Sequence, residues 1–191
     1  ADDAVAAAQA LGYPVALKVE SPAIPHKTEA GVVRLALADE KAVRAAYAEV
    51  MANARKVAKD ADIRGVLVQP MAEGVEVIAG VKVDPVVGPL VVVGSGGVMV
   101  ELMKDSVAAL APVSKAEARR MLERLKGYPL LAGFRGSVPA NVDAVADAVA
   151  RVSEFAADFA GEIEEADVNP LRCGPKRALA VDALIMKKAG N

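Results

Sequence analysis

The feature that most limits the folds open to this chain is its alternation of short apolar runs with segments of helical periodicity. Some neighbouring runs are separated only by a turn, whereas others are separated by a whole helical segment. Hairpin-like connections join antiparallel strands, and a doubly wound parallel sheet would need a helix in every connection. The mixture therefore predicts an α+β fold.

The first part of the chain, residues 1–69, predicts a small lobe with the element order α-β-β-α-β. Apolar spacing predicts helices at Asp2–Leu11 and after Asp39, and strands at Tyr13–Val19, Val32–Leu37 and Ile63–Gln69. The Pro70–Gly74 segment then interrupts the pattern, because proline and glycine favour turns over regular elements. We expect a boundary there, between a lobe of residues 1–69 and a larger lobe of residues 70–191.

The larger lobe is predicted to contain several strands and two helices. The expected strands are Val75–Val83, Pro89–Val93, Val98–Met103 (which carries Glu101), Glu162–Leu171 and Ala178–Met186. Ser114 and Glu117 have the spacing of a capping box, which predicts that a helix begins there. Asn141 is the expected cap of a longer helix. The apolar residues expected to form the buried face of this longer helix are Val145, Val149, Val152, Phe155 and Phe159.

Composition argues against several classes of function. The net charge of −2, the aromatic content of 3% and the absence of tryptophan disfavour a nucleic-acid partner, which needs basic tracks and stacking platforms. The longest apolar stretch, Val86–Val100, is interrupted by glycine and proline and is shorter than the roughly 20 residues that span a bilayer. We therefore expect no membrane partner. Cys173 is the only cysteine, so no intrachain disulfide can form, and we expect a cytoplasmic protein. The chain begins inside a helical pattern, which suggests a portion of a longer protein.

Polar residues in the last two predicted strands suggest a cation site. Glu165, Asp167 and Asn169 alternate along one strand and share a face, and Asp182 lies within the next apolar strand. A carboxylate in an apolar strand is costly unless it is paired or binds a cation. Oxygens on adjacent strands suit Mg²⁺, which takes one or two protein oxygens together with phosphates. The alternative is that Asp182 faces solvent or pairs with a basic residue.

The segment Ser21–Gly31 contains the only histidine, His26, between two predicted strands. Lys18, at the end of the first strand, and Lys27 supply positive charge that suits a phosphate group. Gly31 relieves the backbone before the next strand. An edge lysine more often reaches solvent, and an isolated histidine often has no chemical role. The residues alone leave both interpretations open.

Two further features have the same ambiguity. Glu76 is the only charge in Gly74–Val81, which suits either recognition of ribose hydroxyls or simple strand alternation. The Gly94–Gly97 turn offers backbone N–H groups to an anion, but a turn needs the same glycines. It is not a Walker A loop, since no Gly-Lys-Ser/Thr sequence follows.

Six motifs occur in an order that resembles one known family. From the amino end they read GYPVALK, SPAIPHKTEAGVV, VLVQPMAEGVEVIAGVKVDPVVGPLVVVGSGG, GFRG, EADVNPL and LAVDALI. The series resembles the ATP-grasp domain of ADP-forming (NDP-forming) acyl-CoA synthetases and, more distantly, the succinyl-CoA synthetase beta subunit. The resemblance extends over essentially the whole chain. It implies two α+β lobes with the nucleotide between them, residues 1–69 as the small lid lobe and residues 70–191 as the large lobe with the nucleotide and Mg²⁺ site.

The resemblance also implies cofactors and residue roles. ATP or ADP and Mg²⁺ are the implied cofactors, and His26 matches a histidine that carries the phosphoryl group. The other implied roles are phosphate contact for Lys18, adenine binding for Gln69, Met71 and Ala72, ribose binding for Glu76, and Mg²⁺ ligation for Asn169 and Asp182. Lys27 is expected to neutralise charge as the phosphoryl group moves. Gly31, Glu101 and Arg135 are further candidates without an assigned role.

The implied reaction is acyl-CoA + ADP + phosphate ⇌ carboxylic acid + CoA + ATP, through phosphohistidine. The phosphoryl group would pass between ADP and a second phosphohistidine in a CoA-binding part. This chain has one histidine and no CoA-binding Rossmann pattern, so we expect a partner domain or subunit that binds CoA and handles the carboxylic acid and acyl-CoA. One departure from the family loop is Val32, which stands where a second glycine is usual.

Three alternatives remain open from the sequence. The domain could only sense nucleotide and regulate a fused enzyme such as an acyltransferase. It could belong to an ATP-grasp ligase that forms a free acyl phosphate and transfers it to an amine, which would need no histidine. It could also be a degenerate structural domain that binds no nucleotide.

Overall fold

The computed structural model describes residues 1–25, 27–57, 63–97 and 103–188. The chain divides into two compact units, residues 1–71 and residues 72–191. The division falls inside the predicted Pro70–Gly74 break. Helices and antiparallel sheets occur in both units, so the α+β class is confirmed.

The first unit contains a three-stranded antiparallel sheet and two helices. Its elements are α1 (Asp2–Leu11), β1 (Val15–Glu20), β2 (Val33–Leu37), α2 (Glu40–Val57) and β3 (Gly65–Pro70). The strand order is β2-β1-β3, so β1 is central. Helix α1 ends at Gly12, whose φ of 83° suits a residue without a side chain. Helix α2 begins after Asp39, whose Oδ1 accepts a hydrogen bond from the Ala42 amide at 2.8 Å.

Two apolar helix faces form the core of this unit with β1. Val43, Ala46, Val50 and Ala54 are buried along α2, and Ala4, Val5 and Ala8 are buried along α1. They pack with the buried strand residues Val15, Leu17 and Val19. Val57, the last residue of α2, is apolar but exposed.

The second unit contains a six-stranded antiparallel sheet with helices packed against it. Its strands are β4 (Val75–Asp84), β5 (Gly88–Ser95), β6 (Ser106–Leu110), β7 (Ile163–Cys173), β8 (Ala178–Ala180) and β9 (Ala183–Lys187). The order is β6-β5-β4-β7-β8, and β9 also pairs with β7. Strand β7 is therefore hydrogen-bonded to β4 along one edge and to β8 and β9 along the other.

Among the described residues of the second unit, the two helices predicted from caps begin where those caps indicate, and a further short helix lies between them. They are α3 (Lys115–Glu123), the short α4 (Tyr128–Leu131) and α5 (Val142–Asp158). Ser114 Oγ accepts a hydrogen bond from the Glu117 amide at 3.2 Å, and Asn141 Oδ1 accepts one from Ala144 at 3.1 Å. Helices α3 and α5 contact each other, and α5 also contacts β4 and β5. Val145 and Val149 are fully buried, whereas Phe159 at the carboxyl end of α5 is 41% exposed.

Two predictions about this unit need correction, and a third is untested. The predicted Ala178–Met186 strand is interrupted at residues 181 and 182, so Asp182 lies between β8 and β9 and not within a strand. Strand β6 has no counterpart in the sequence prediction. The predicted Val98–Met103 strand falls mostly in residues 98–102, outside the described ranges.

Within the described ranges, no helix has the length and apolar character needed to cross a membrane.

Candidate functional site

Lys18 is a buried charge in the central strand of the first unit. It lies near the carboxyl end of β1, paired with Val33 on β2 and with Leu67 on β3. The residue is 5% exposed. Burial of an ammonium group is costly unless anionic or polar groups surround it. The structure therefore gives Lys18 a defined internal position, unlike an edge lysine that extends into solvent.

His26 and Glu101 lie outside the described residues. The backbone on both sides of His26 is described. Ser21 accepts hydrogen bonds from Ala23 (Oγ, 3.3 Å) and Ile24 (carbonyl, 3.2 Å), and Val32 donates to the Lys27 carbonyl at 3.1 Å. These bonds form local turns on both sides of His26, and the Val19 amide of β1 donates to the Val32 carbonyl at 3.0 Å, which ties the carboxyl end of the segment to the sheet.

Gly31 has a structural requirement that explains the residue. Its φ is 66°, in the region that glycine adopts at low cost. A Cβ at this position would lie 3.1 Å from Asn53 Nδ2. Asn53 Nδ2 also donates to the Gly31 carbonyl at 3.0 Å, and Arg34 Nη1 donates to the same oxygen at 3.2 Å. The Gly31 carbonyl is therefore held by two side chains.

The predicted adenine-binding segment begins in β3. Gln69 is paired with Ala16 on β1. Its Oε1 is buried and has no hydrogen-bond partner among the residues that the structure describes. Met71 Sδ accepts a hydrogen bond from the Ala36 amide at 3.3 Å. Ala72 is half-buried and begins the second unit.

Glu76 and Arg172 form an ion pair across β4 and β7. The two residues are in register, and Arg172 Nη2 lies 2.6 Å from Glu76 Oε1. Gly96, in the turn after β5, donates to the Glu76 carbonyl at 3.0 Å. The sequence analysis selected Glu76 but not Arg172. Arg172 is distant from Glu76 in sequence, and only the pairing of β4 with β7 brings the two together.

Asn169 and Asp182 meet at the other edge of β7. The Asn169 amide donates to the Asp182 carbonyl at 3.2 Å, and Val181 donates to the Pro170 carbonyl at 3.0 Å. These bonds bring the backbones of Asn169 and Asp182 together at the interruption between β8 and β9. Asp182 Oδ1 accepts from the Ala183 amide at 3.1 Å.

The oxygens at this edge fit the preference of Mg²⁺. An amide oxygen and a carboxylate are hard ligands, and Mg²⁺ is commonly held by one or two protein groups with phosphates and waters. No group of three or more Asp, Glu, His or Cys residues suited to a metal occurs among residues 1–25, 27–57, 63–97 and 103–188. Asn169 and Asp182 would therefore supply two protein ligands at most by their side chains, within the one or two that Mg²⁺ commonly takes.

Asp105 is a buried carboxylate that sequence reasoning missed. It is 4% exposed and accepts hydrogen bonds from Ser95 Oγ and from the amides of Lys126 and Gly127, the latter two at 2.8 Å each. Burial raises its pKa, but the hydrogen bonds from Ser95, Lys126 and Gly127 outweigh burial and leave the pKa below its ordinary value. Asp105 thereby joins the end of β5 to the chain between α3 and α4.

A small open cavity lies beside this network. Its volume is about 190 Å³, and its lining includes Glu76, Ser95, Gly96, Gly127 and Leu131. Gly127 has no room for a side chain, because a Cβ there would lie 2.2 Å from Ser95 Oγ.

Arg135 lies in an exposed turn of three residues, Phe134–Gly136. Its φ of 52° and ψ of 36° are left-handed, which is uncommon for a residue other than glycine. The guanidinium carbon lies 5.4 Å from the centre of the Phe134 ring. Within the described ranges, Arg135 forms no hydrogen bond or ion pair with another candidate residue.

Comparison with known proteins gives one matching family over nearly the whole chain. The family model described as an ATP-grasp domain matches residues 1–186. The chain is 42% identical over 183 residues to the beta subunit of ADP-forming acetate–CoA ligase I from Pyrococcus furiosus, covering 95% of this chain and 78% of the relative. It is also 42% identical over 172 residues to ADP-forming acetate–CoA ligase I of Archaeoglobus fulgidus, covering 90% of this chain and 25% of that protein.

Solved structures of one protein are similar along almost the same length. The acetyl-coenzyme A synthetase 1 of Ca. Korarchaeum cryptofilum, solved with coenzyme A and Ca-AMPCP, superposes with a TM-score of 0.89 and 40% identity, over 98% of this chain and 82% of that chain. A second structure of that protein contains coenzyme A and Mg-AMPPCP, and its phosphohistidine segment points towards the nucleotide-binding site. It superposes with a TM-score of 0.80 and 39% identity, over 98% and 82% of the two chains. The ATP-grasp fold expected from the motifs is confirmed.

Proposed function

Since this chain belongs to the ATP-grasp family of ADP-forming acetate–CoA ligases, we propose that it binds ADP or ATP with Mg²⁺ and transfers the phosphoryl group for an acyl-CoA synthetase. The net reaction is acyl-CoA + ADP + phosphate ⇌ carboxylic acid + CoA + ATP. The observation that carries this proposal is the hydrogen bond from the backbone N–H of Asn169 in β7 to the carbonyl of Asp182 at 3.2 Å, which brings the two residues together at the interruption between β8 and β9. The side chains of these neighbouring residues are an amide and a carboxylate, which suit Mg²⁺ because that ion commonly takes one or two protein oxygens together with phosphates.

His26 is the proposed phosphoryl carrier. An imidazole nitrogen is a nucleophile near neutral pH. It attacks the phosphorus of a donor phosphohistidine, so that one P–N bond forms as the donor's P–N bond breaks. A terminal oxygen of ADP then attacks the same phosphorus, and the P–O bond of ATP forms as the His26 P–N bond breaks. Lys18 and Lys27 offset the negative charge that gathers around the transferred group.

The remaining candidates bind the nucleotide. Lys18 contacts its phosphates, the segment that contains Gln69, Met71 and Ala72 holds adenine, and Glu76 accepts hydrogen bonds from ribose hydroxyls. The buried Gln69 Oε1, which has no partner in the described part of the chain, supports this proposal because such an oxygen is costly to leave unpaired. Asn169 and Asp182 hold Mg²⁺, which screens the phosphate charges when bound.

A CoA-binding domain or subunit completes the proposed enzyme. The Pyrococcus furiosus relative is named as a beta subunit, which supports a second polypeptide as the partner. That partner binds CoA and the carboxylic acid or acyl-CoA and carries the second histidine. We further propose a cytoplasmic enzyme that uses neither a membrane nor a nucleic acid. Within it, residues 1–69 act as the lid lobe and residues 70–191 as the large lobe.

The test is phosphorylation of His26 in the assembled enzyme. The chain and its CoA-binding partner are incubated with ATP labelled in the γ-phosphate, and the label on this chain is tested for stability. Phosphohistidine is labile in acid and stable in base, so base-stable label that His26→Ala abolishes is the expected result. A His26→Ala enzyme with full synthetase activity would contradict the carrier role.

The alternative of a nucleotide sensor fused to an acyltransferase is not favoured, because the similar proteins are named as ligases. It predicts that Mg-ATP binds without any phosphate on His26. An amine ligase predicts that His26→Ala is fully active. A degenerate domain predicts no Mg-ADP binding by the wild-type chain, with no further loss in Asp182→Ala.

A further inference from the structure

Arg172 holds Glu76 with a two-pronged contact. Arg172 Nη2 lies 2.6 Å from Glu76 Oε1, while Nη1 donates to the Gly74 carbonyl at 3.1 Å. The guanidinium fork thus fixes both the Glu76 carboxylate and the backbone two residues before it. The Arg172 side chain is 24% exposed and that of Glu76 is 31% exposed. The pair is therefore shielded in part but still open to a ligand.

The other oxygen of Glu76 lies beside the glycine turn. A Cβ at Gly97 would be 2.9 Å from Glu76 Oε2, and a Cβ at Gly96 would be 2.5 Å from Glu76 Cβ. Two residues without side chains therefore leave the room that this carboxylate occupies. A carboxylate has about four acceptor positions, so an oxygen outside the ion pair can still accept hydrogen bonds.

A glutamate without the arginine contact would bind ribose hydroxyls more weakly, for two reasons. Its side chain would sample several rotamers, and fixing them on binding would reduce affinity. Its full negative charge would also repel the phosphates of the same nucleotide. An arginine on the adjacent strand removes both penalties, because it restricts the rotamer and compensates the charge.

We propose that Arg172 is a positioning residue for nucleotide recognition: it holds Glu76 Oε1 so that Oε2 accepts from the ribose hydroxyls. This inference rests on the proposed function, in which Glu76 binds ribose. Arg172 itself does not touch the nucleotide. Its removal should therefore affect recognition of the hydroxyls and leave recognition of the phosphates nearly unchanged.

The test compares Mg-ADP with Mg-2′,3′-dideoxy-ADP, which lacks both ribose hydroxyls, by calorimetric titration of the full chain. Arg172→Gln keeps a donor for the Gly74 carbonyl and removes the ion pair. We expect it to bind Mg-ADP about tenfold more weakly, the order of a lost hydrogen bond to a charged group, and to bind the dideoxy analogue as the wild type does. Arg172→Lys retains the charge and should restore part of the discrimination.

Two controls separate positioning from a general loss of stability. Arg119→Gln removes another arginine ion pair of this unit, with Asp143 at 3.0 Å, and should leave both affinities unchanged. In a Glu76→Gln background, Arg172→Gln should add no further loss, because a residue that acts through Glu76 has no effect without it. Additive losses in the double variant would overturn the inference.

The outcomes distinguish this inference from the proposed function. A wild-type chain that does not bind Mg-ADP contradicts the proposed function. A wild-type chain that discriminates between the two nucleotides, with the same ratio in Arg172→Gln, overturns the positioning role alone. A wild-type chain that binds both nucleotides equally also overturns it. If Arg172→Gln does not fold, Arg172→Met is a second neutral variant. The same ratio of affinities, for Mg-ADP and for the dideoxy analogue, is measured with it.

Discussion

Asp105 and Asp182 are aspartates in the same sheet unit, and they differ in how the protein uses them. Asp105 is 4% exposed and accepts from one hydroxyl and two backbone amides. Asp182 is half-buried at a strand interruption, next to Asn169. The first carboxylate is buried and joins three donors from two parts of the chain, whereas the second is half-buried, and its Oδ1 accepts from the Ala183 amide at 3.1 Å.

The difference shows that the cost of a buried charge does not by itself identify a functional site. That cost was the reason to select Asp182 from the sequence, yet it applies more strongly to Asp105. What separates the two is their place in the fold: Asp105 is 4% exposed and joins the end of β5 to the chain at Lys126 and Gly127, whereas Asp182 lies half-buried at the interruption between β8 and β9. We therefore expect Asp105 to determine stability and Asp182 to determine ligand binding.

The largest effect that we expect is the loss of Mg-ADP affinity caused by the substitution Asp182→Ala. Loss of this proposed metal ligand should weaken Mg-ADP binding by more than about 100-fold, since outer-shell changes alone cost about 10–100-fold. The free energy of unfolding without nucleotide should change by less than about 1 kcal/mol, as for other partly exposed side chains. Calorimetric titration and urea unfolding measure the two quantities. A stable variant that still binds Mg-ADP normally would break the contrast with Asp105.

Asp105→Ala should have the opposite profile. Its removal leaves the Ser95 hydroxyl and the Lys126 and Gly127 amides without their acceptor, which should lower the free energy of unfolding by about 2 kcal/mol. Mg-ADP affinity of the folded fraction should remain near the wild-type value. Urea unfolding of the wild type, Asp105→Ala and Asp105→Asn gives the comparison. A variant with wild-type stability would show that water replaces the carboxylate at little cost.

Asp105 also predicts a smaller, pH-dependent effect. Its pKa is lowered in the folded chain from an ordinary value of 3.8, so its ionised form stabilises the fold above that value. This contribution should be lost as the pH falls through the lowered pKa. Urea unfolding between pH 7 and about pH 3 should show a steeper loss for the wild type than for Asp105→Asn. Exposed carboxyls with lowered pKa values, such as Asp84, are present in both proteins and cancel in the difference.

Cys173 should give the smallest effect, and it tests whether burial alone implies chemistry. The residue is 1% exposed, and burial raises the pKa of its thiol to about 12. Because the thiolate is the reactive form, the folded chain should react with a disulfide reagent far more slowly than the urea-unfolded chain. Cys173→Ala should leave Mg-ADP affinity unchanged. Rapid modification of the folded chain would contradict this description of the β7 core.

Much of the fold is predictable from local signals. The bounds of α1 agree with the prediction at both ends, since an amphipathic segment is followed directly by Gly12. Ser114 and Asn141 cap the helices they were expected to cap. Strand β6 was missed because it is partly exposed along its whole length, so its sequence lacks a strong apolar alternation. The interruption at Asp182 was missed because the residues around it are apolar on both sides.

The residues of the candidate site are harder to predict from the sequence than the fold. Asn169 and Asp182 could be predicted to lie close together because the sequence places them on successive predicted strands, although Asp182 in fact lies between β8 and β9. Arg172 could not be selected, because its contact with Glu76 depends on the register between β4 and β7, which the sequence does not reveal. Asp105 was missed for a similar reason: two of its donors are backbone amides, which no side-chain pattern reveals. Non-local pairing thus separates the residues found from those missed.

The place of β7 in the sheet has a consequence for the order of folding. Strands β4 and β5 are joined by a tight turn, with Asp84 Oδ1 accepting from the Val86 and Val87 amides. Strand β7 also pairs with β4, but the segment between them contains β5, β6 and, among its described residues, the helices α3, α4 and α5. Closing so long a loop has a larger entropic cost than closing the β4–β5 turn. We expect pulsed hydrogen exchange during refolding to protect the β4–β5 amides before those of β7. The edge with Asn169 and Asp182 would then form late, and a refolding chain would acquire its Mg²⁺–nucleotide affinity only in that last phase.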